Sequence, residues 1–247
     1  MKMAMDWIVE TLRVSLFSTH TIDISNADWT KITGQDEAET QKKALGRRTM
    51  TGPYRNAILN LSASGNRSDC IVTPRFPTPD AIEENYIPSV GAWPSVCESF
   101  VEDTATWVTN SDVSISRIAF GAVLLGRCES REQAYRYLLG SLKSVKGDPE
   151  RMAEVIFRVN WPLKSDTVEN LVINRITQWS VLEVRVQLAI DFTNSTIETA
   201  PMFVVRLELD HSTDAQRSEP FDRDSVPLIY RELVQLAFEN AKEGELP

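Results

Sequence analysis

The residues best suited to chemistry lie late in the chain. Asp210 and His211 are followed by Asp214, Glu219, Asp222 and Asp224. A histidine among carboxylates after a strand end could hold a divalent metal or work as an acid–base pair. On this reading Asp210, His211 and Asp214 are the ligands of a metal-dependent hydrolase or nuclease. The spacing matches no metal motif, however, and Ser212, Gln216, Ser218 and Pro220 are interspersed. The competing reading is a solvated loop leading into the last helix. The other histidine, His20, has no partner residue nearby in sequence and reads as a surface residue.

A second group is basic. Lys42, Lys43, Arg47, Arg48 and Arg55 are followed by Arg67 and Arg75, and together they could meet a phosphate backbone. Against this, cations favour the negative end of a helix, and a helix finishing at Gly46 would place them there. A third group, Asn174, Arg175 and Trp179, could form a binding face. Arg175 would share a side with Ile173 and Trp179, so it requires an acidic partner or stacks on the indole.

The commonest catalytic signatures are absent. There is no glycine-rich phosphate loop, no Cys/His metal spacing, no nucleophile elbow and no His-Glu zincin pattern. No cofactor is expected. Cys70, Cys97 and Cys128 are odd in number and unpaired in spacing, which fits a reducing cytoplasm and buried thiols. The start, MKMAMDWIVETLRV, carries Asp6 and Glu10 where a signal peptide is apolar. No run reaches the ~18 apolar residues of a membrane span. The net charge of −9 opposes tight non-specific binding to duplex nucleic acid.

The elements that must position these residues can be read from periodicity. Ser114–Leu142 is the clearest stretch. Ile118, Phe120, Ala122 and Leu124 alternate with Arg117, Ala119, Gly121 and Val123, the period of a strand. Ser130 stands three residues before Gln133, a capping-box spacing that opens a helix over 131–143. Earlier come a strand at 12–17, a weak helix from 27 to 45, and a hairpin of 56–61 with 68–73. The five prolines at 74, 77, 79, 88 and 94 mark a stiff crossing. A helix follows from Trp93 to Trp107. Strands are expected at 152–160, 171–190 and 203–209, and a helix at 225–241.

In 171–190 the apolar residues occupy odd positions up to Val181 and even ones from Leu182 to Ile190. Such a switch predicts a bulge or bend. Pairing of 182–190 with 203–209 across a loop centred near Thr196 would bury the even set against the odd one. Cross-strand charge then favours Arg185 opposite Glu208.

RIAFGAVLL, LVINRITQWSVLEVRVQL with Asn174 and Arg175, VVRLELDHST and the terminal helix together resemble a sporadically distributed family of bacterial proteins of this length. The proline-rich segment and the Trp93–Trp107 helix are similar too. The resemblance implies no catalytic residues.

The expected fold is α+β, an extended antiparallel sheet with helices mainly on one face. The order strand, helix, strands, helix occurs twice, which suggests two structurally similar halves; two unrelated halves is the alternative. The expected division is 1–92 and 93–247, with one continuous domain as the other option. The leading functional expectation is a non-catalytic cytoplasmic binding or regulatory protein acting through a protein partner, away from membranes. A nucleic-acid-contacting module and a metal-dependent hydrolase are the alternatives.

Overall fold

A computed structural model describes residues 5–78, 86–110, 113–185, 187–190, 195–198 and 201–245, the side chains of 187–198 excepted. The chain builds β1 (Trp7–Ser18), α1 (Asn26–Thr33), β2 (Thr40–Ala44), β3 (Arg47–Tyr54), β4 (Ala57–Ser64), β5 (Arg67–Pro74), β6 (Gly91–Ala92) and α2 (Trp93–Thr109). It continues through β7 (Ile115–Cys128), α3 (Arg131–Ser141), β8 (Ile156–Asn160), β9 (Leu163–Lys164), β10 (Val172–Val184), β11 (Gln187–Ile190), β12 (Ser195–Glu198), β13 (Met202–Thr213) and α4 (Ser225–Glu243).

An 11-stranded antiparallel sheet carries the molecule, in the order β2-β3-β4-β5-β1-β7-β13-β10-β8, with β6 on β1 and β9 on β10. All four described helices contribute to one apolar core on one side of it. Val14, Leu16, Leu59, Leu61, Phe120 and Leu207 face that core, with Trp29, Phe100, Leu138 and Leu233 opposite them. The expected α+β sheet with helices on one face is therefore the fold.

The sheet is also symmetric about its centre in topology. β1 and β7 pair antiparallel along almost their whole length, from Trp7↔Gly126 to Ser18↔Ile115. Outward from β1 lie β5, β4 and β3, and outward from β7 lie β13, β10 and β8. Each half starts at the centre, places a helix, builds its outer strands, returns beside its first strand and ends in a helix. By that order α2 closes the first series, so the series meet between residues 109 and 115, whereas a division at residue 92 assigns α2 to the second half.

Three expectations need correction. The helix from 27 to 45 ends at Thr33, where Gly34 takes a left-handed conformation (φ 70°). Residues 40–44 form strand β2, and Gly46 (φ 75°) turns the β2–β3 hairpin instead of ending a helix. The second correction concerns register. β10 pairs with β13 in one unbroken ladder, Ile173↔Thr213 to Val184↔Met202, which sets Ser180 opposite Arg206 and Gln178 opposite Glu208. Arg185 lies past the end of β10 and pairs with Glu183. β11 leaves the sheet to pair with β12, and the residues on either side of Thr196's strand, 191–194 and 199–200, lie outside the described residues.

The third correction explains the second. The apolar phase switch is not a bulge. Odd residues of β10 face the helices throughout, while Val184 joins a small apolar cluster with Leu125, Val204 and Met202 on the sheet's other face. The buried face changes within an unbroken β10 ladder, which ends at Val184 before β11 leaves the main sheet.

Ser130 caps α3 as its spacing implies, accepting from the Gln133 N–H at 3.2 Å. Gln133 reaches back to the Glu129 N–H at 2.6 Å, one residue short of the cap. Ser130→Ala should destabilise the protein by roughly 1 kcal/mol, and Gln133→Ala by less. Urea denaturation of both variants measures this, and equal losses would contradict the capping geometry.

Candidate functional site

Strand alternation decides where the singled-out residues can act. On β13, Asp210 and His211 are neighbours, so their side chains leave the sheet on opposite sides. Asp210 points to the face without helices, where Arg13 Nη2 donates to it at 3.1 Å. His211 points under α4 and is 0% exposed. Its Nδ1 lies 3.3 Å from the Leu233 carbonyl, a contact that requires the Nδ1–H tautomer. Asp214 sits in the following loop, where its carboxylate accepts from the Gln216 N–H. Among the described residues no group of three His, Cys, Asp or Glu is placed to hold a metal ion.

The third group divides in the same way. Arg175 and Trp179 lie on the helix-covered face, 8% and 1% exposed. Among the described residues Arg175 makes neither a close salt bridge nor a stack on the Trp179 indole, although Glu239 lies near enough to favour its charge. Its Nε donates to the Trp161 carbonyl at 3.0 Å. Trp179 meets the edge of Trp7, with ring centroids 6.0 Å apart. Asn174 faces the other way and accepts from Asn160 Nδ2 at 2.8 Å. Asn174, Arg175 and Trp179 thus form no common surface. Arg175 instead stands directly across from His211, which makes a buried polar pair beneath α4.

The basic residues are split by the β2–β3 hairpin. Lys43 is opposite Arg48, on the helix side. Lys43 approaches Asp23 at 3.8 Å. Arg48 bonds Gln41 and lines a hollow of about 250 Å³ with Asp23, Asp28, Ser68 and Trp107. Lys42 and Arg47 face the open side of the sheet. Arg55 is fixed elsewhere, paired with Asp103 at 3.0 Å beside the Tyr54–Asp103 hydrogen bond. Tyr54 is held protonated by burial and by that carboxylate.

The open face carries residues that periodicity did not single out. Arg13, Ser15 and Phe17 of β1 lie beside Arg117, Ala119 and Gly121 of β7. A Cβ on Gly121 would come within 3.2 Å of the Arg13 guanidinium, so the glycine makes room for that side chain. The Phe17 ring lies between two guanidiniums, Arg117 at 4.6 Å and Arg67 at 5.3 Å from its centroid. The signal was present in the alternation, since a cation opposite a run of core residues marks the second face of a strand.

The thiols are not poised for catalysis. Burial keeps Cys70 and Cys97 protonated, the latter pushed up to about 12, and all three cysteines are free. No helix among the described residues is long and apolar enough to cross a membrane. Neither the protein-family models nor the curated proteins contain a match to this chain.

His211 has a consequence for stability. Burial disfavours the charged ring and lowers its pKa from 6.5 to about 4, with the Leu233 carbonyl opposing and Arg175 adding to the shift. Unfolded, the ring takes a proton near pH 6.5; folded, it does so only near pH 4. This contribution to stability is complete above about pH 6.5 and is lost as pH falls towards 4, with a full span of roughly 3 kcal/mol. Urea denaturation at pH 7 and pH 5 should show a loss that shrinks by about 2 kcal/mol in His211→Gln. An unchanged pH dependence in the variant would show that His211 is charged in the folded protein.

Proposed function

We propose that this chain is a non-catalytic binding protein that acts through a protein partner, and that the partner docks at the β8 edge of the sheet. One observation carries this reading. β8 ends the sheet, paired only with β10 among the described residues, and it exposes Ile156 at 65%. Leu182 of β10, 38% exposed, lies on the same face one step along the sheet. Trp161 follows β8 directly and is 36% exposed.

An edge strand offers unpaired N–H and C=O groups to an incoming strand, and apolar residues beside it supply anchoring contacts. At the opposite edge, β2 presents the charged side chains of Lys42 and Lys43, which discourage such addition. The edges are therefore unequal, and β8 is the receptive one. The free thiols fit a reducing compartment such as the cytoplasm. A regulatory role follows from a protein that binds without a catalytic step.

A second reading, contact with nucleic acid, is favoured by Lys42 and Arg47. Both lie on the open face, and neither forms an ion pair among the described residues.

The β8 reading predicts that Ile156→Lys with Leu182→Asp abolishes partner binding while leaving the fold intact, since both positions are exposed. Affinity purification of both forms from one cell extract, compared by quantitative mass spectrometry, tests it. A protein retained by the unaltered chain and lost by the variant is the expected result. Identical sets of co-purifying proteins would overturn the proposal.

A further inference from the structure

A row of side chains crosses the open face of the sheet. Strand registers place Arg47 opposite Ser64, Ser64 opposite Arg67, Arg67 opposite Phe17, and Phe17 opposite Arg117. Directly opposed residues share a face, so the five form one line over β3, β4, β5, β1 and β7. Cations occupy alternate strands, with a small residue in one gap and an aromatic ring in the other. Neighbouring strands lie about 4.8 Å apart, so the line from Arg47 to Arg117 spans about 19 Å. Lys42, opposite Thr49 in the next row, adds a cation near its outer end.

The three cations are neutralised unequally. Arg67 pairs with Asp69 at 2.8 Å. Arg47 makes no ion pair among the described residues. Arg117 bonds the Ser212 hydroxyl at 3.3 Å and makes no salt bridge among the described residues, although Asp210 and Asp214 lie near enough to favour its charge; its Nε is buried without a hydrogen-bond partner. Burial draws its pKa down, and Arg67 and Arg13 add to this against Asp210 and Asp214. A buried donor left without a partner is destabilising. An arriving anion at the outer guanidinium nitrogens would relieve the crowding of like charges.

We propose that the Arg47–Arg67–Arg117 row is the backbone track for a single-stranded nucleic acid. The inference rests on the nucleic-acid reading and is independent of the β8 partner. Three features favour this occupant over an acidic peptide. The cations follow a line, as a phosphate backbone does. Guanidinium planes held against an aromatic ring offer flat surfaces on which bases stack. Apart from the Asp69 carboxylate that holds Arg67, the surrounding face is short and polar, with Thr49, Asn60, Ser62 and Ser64, and it suits sugar and base edges better than the apolar anchors of a protein partner. At about 3.4 Å per stacked nucleotide, roughly six nucleotides cover the row.

Fluorescence anisotropy with labelled oligo-dT and oligo-U of twenty nucleotides, over a salt series from low ionic strength, tests this. Three phosphate contacts at about 0.7 each predict a log–log slope near −2. Arg47→Glu, at an exposed position, should weaken binding about tenfold and flatten the slope by about 0.7. Arg117→Lys, which keeps the charge, should also weaken binding by losing the stacked plane. Arg231→Glu, exposed on α4, should change nothing.

If the unaltered protein binds neither oligonucleotide, the row and the nucleic-acid reading both fail. If it binds but Arg47→Glu and Arg117→Lys bind equally well, the row fails and the broader reading survives. Polyglutamate competing as strongly as the oligonucleotide would replace nucleic acid with an acidic peptide as the occupant.

Discussion

The pairing of β1 with β7 is the interaction on which the rest of this fold depends. Among the described residues it is the only strand pairing that joins the two series of elements, and it lies at the centre of the sheet. The other strands of the 11-stranded sheet extend outward from it. Trp7 at the start of β1 closes the joint from the core side. Its indole donates to the Ala241 carbonyl at the end of α4 and meets the edges of Tyr137 from α3 and Trp179 from β10. One side chain of the first half is thus packed among three elements of the second. The Thr104–Tyr230 hydrogen bond at 2.8 Å joins α2 to α4 across the same boundary. Buried polar contacts of this kind carry more specificity than net energy, because each group left alone would be costly.

A sheet layered with helices on one side has two unlike faces, and this sheet expresses the difference along every strand. The covered face holds large apolar groups. The other holds short polar residues, arginines held by carboxylates, and one apolar corner where Ile87, Leu125 and Val204 are buried together. Arg206 bridges Glu10 on β1 and Glu208 on its own strand there. The receptive edge at β8 and the cationic row at β3–β7 lie in different parts of this surface, so the two could be used at the same time.

Much of this was legible in the sequence, and the reasons are physical. β4, β5, α2 and α4 have strong periodicity because each turns its large apolar residues to one side, β7 alternates large with small apolar residues, and the Ser130 cap was visible from its spacing with Gln133. β2 was not legible. All five of its residues are exposed, so TQKKA has no apolar period and reads as well for a helix. Register was misjudged because cross-strand charge pairs contribute only about 0.2–1 kcal/mol each, less than burying one large apolar side chain. The site residues misled for a related reason. Adjacency in sequence, as in Asp210-His211 or Asn174-Arg175, means opposite faces in a strand. The arginine row joins residues from five strands, and no single-stretch reading can assemble it.

The inequality of the two sheet edges also bears on stoichiometry. A sheet bare at both ends can grow without limit, each molecule adding to the next. Here the last strand on one side exposes two adjacent lysines, while the other exposes Ile156 beside Arg158 and Asn160. A molecule that accepts a strand at β8 has no equally receptive edge to pass on. If a partner strand is recruited as proposed, addition would end after a single step, giving a closed complex of fixed composition instead of a filament.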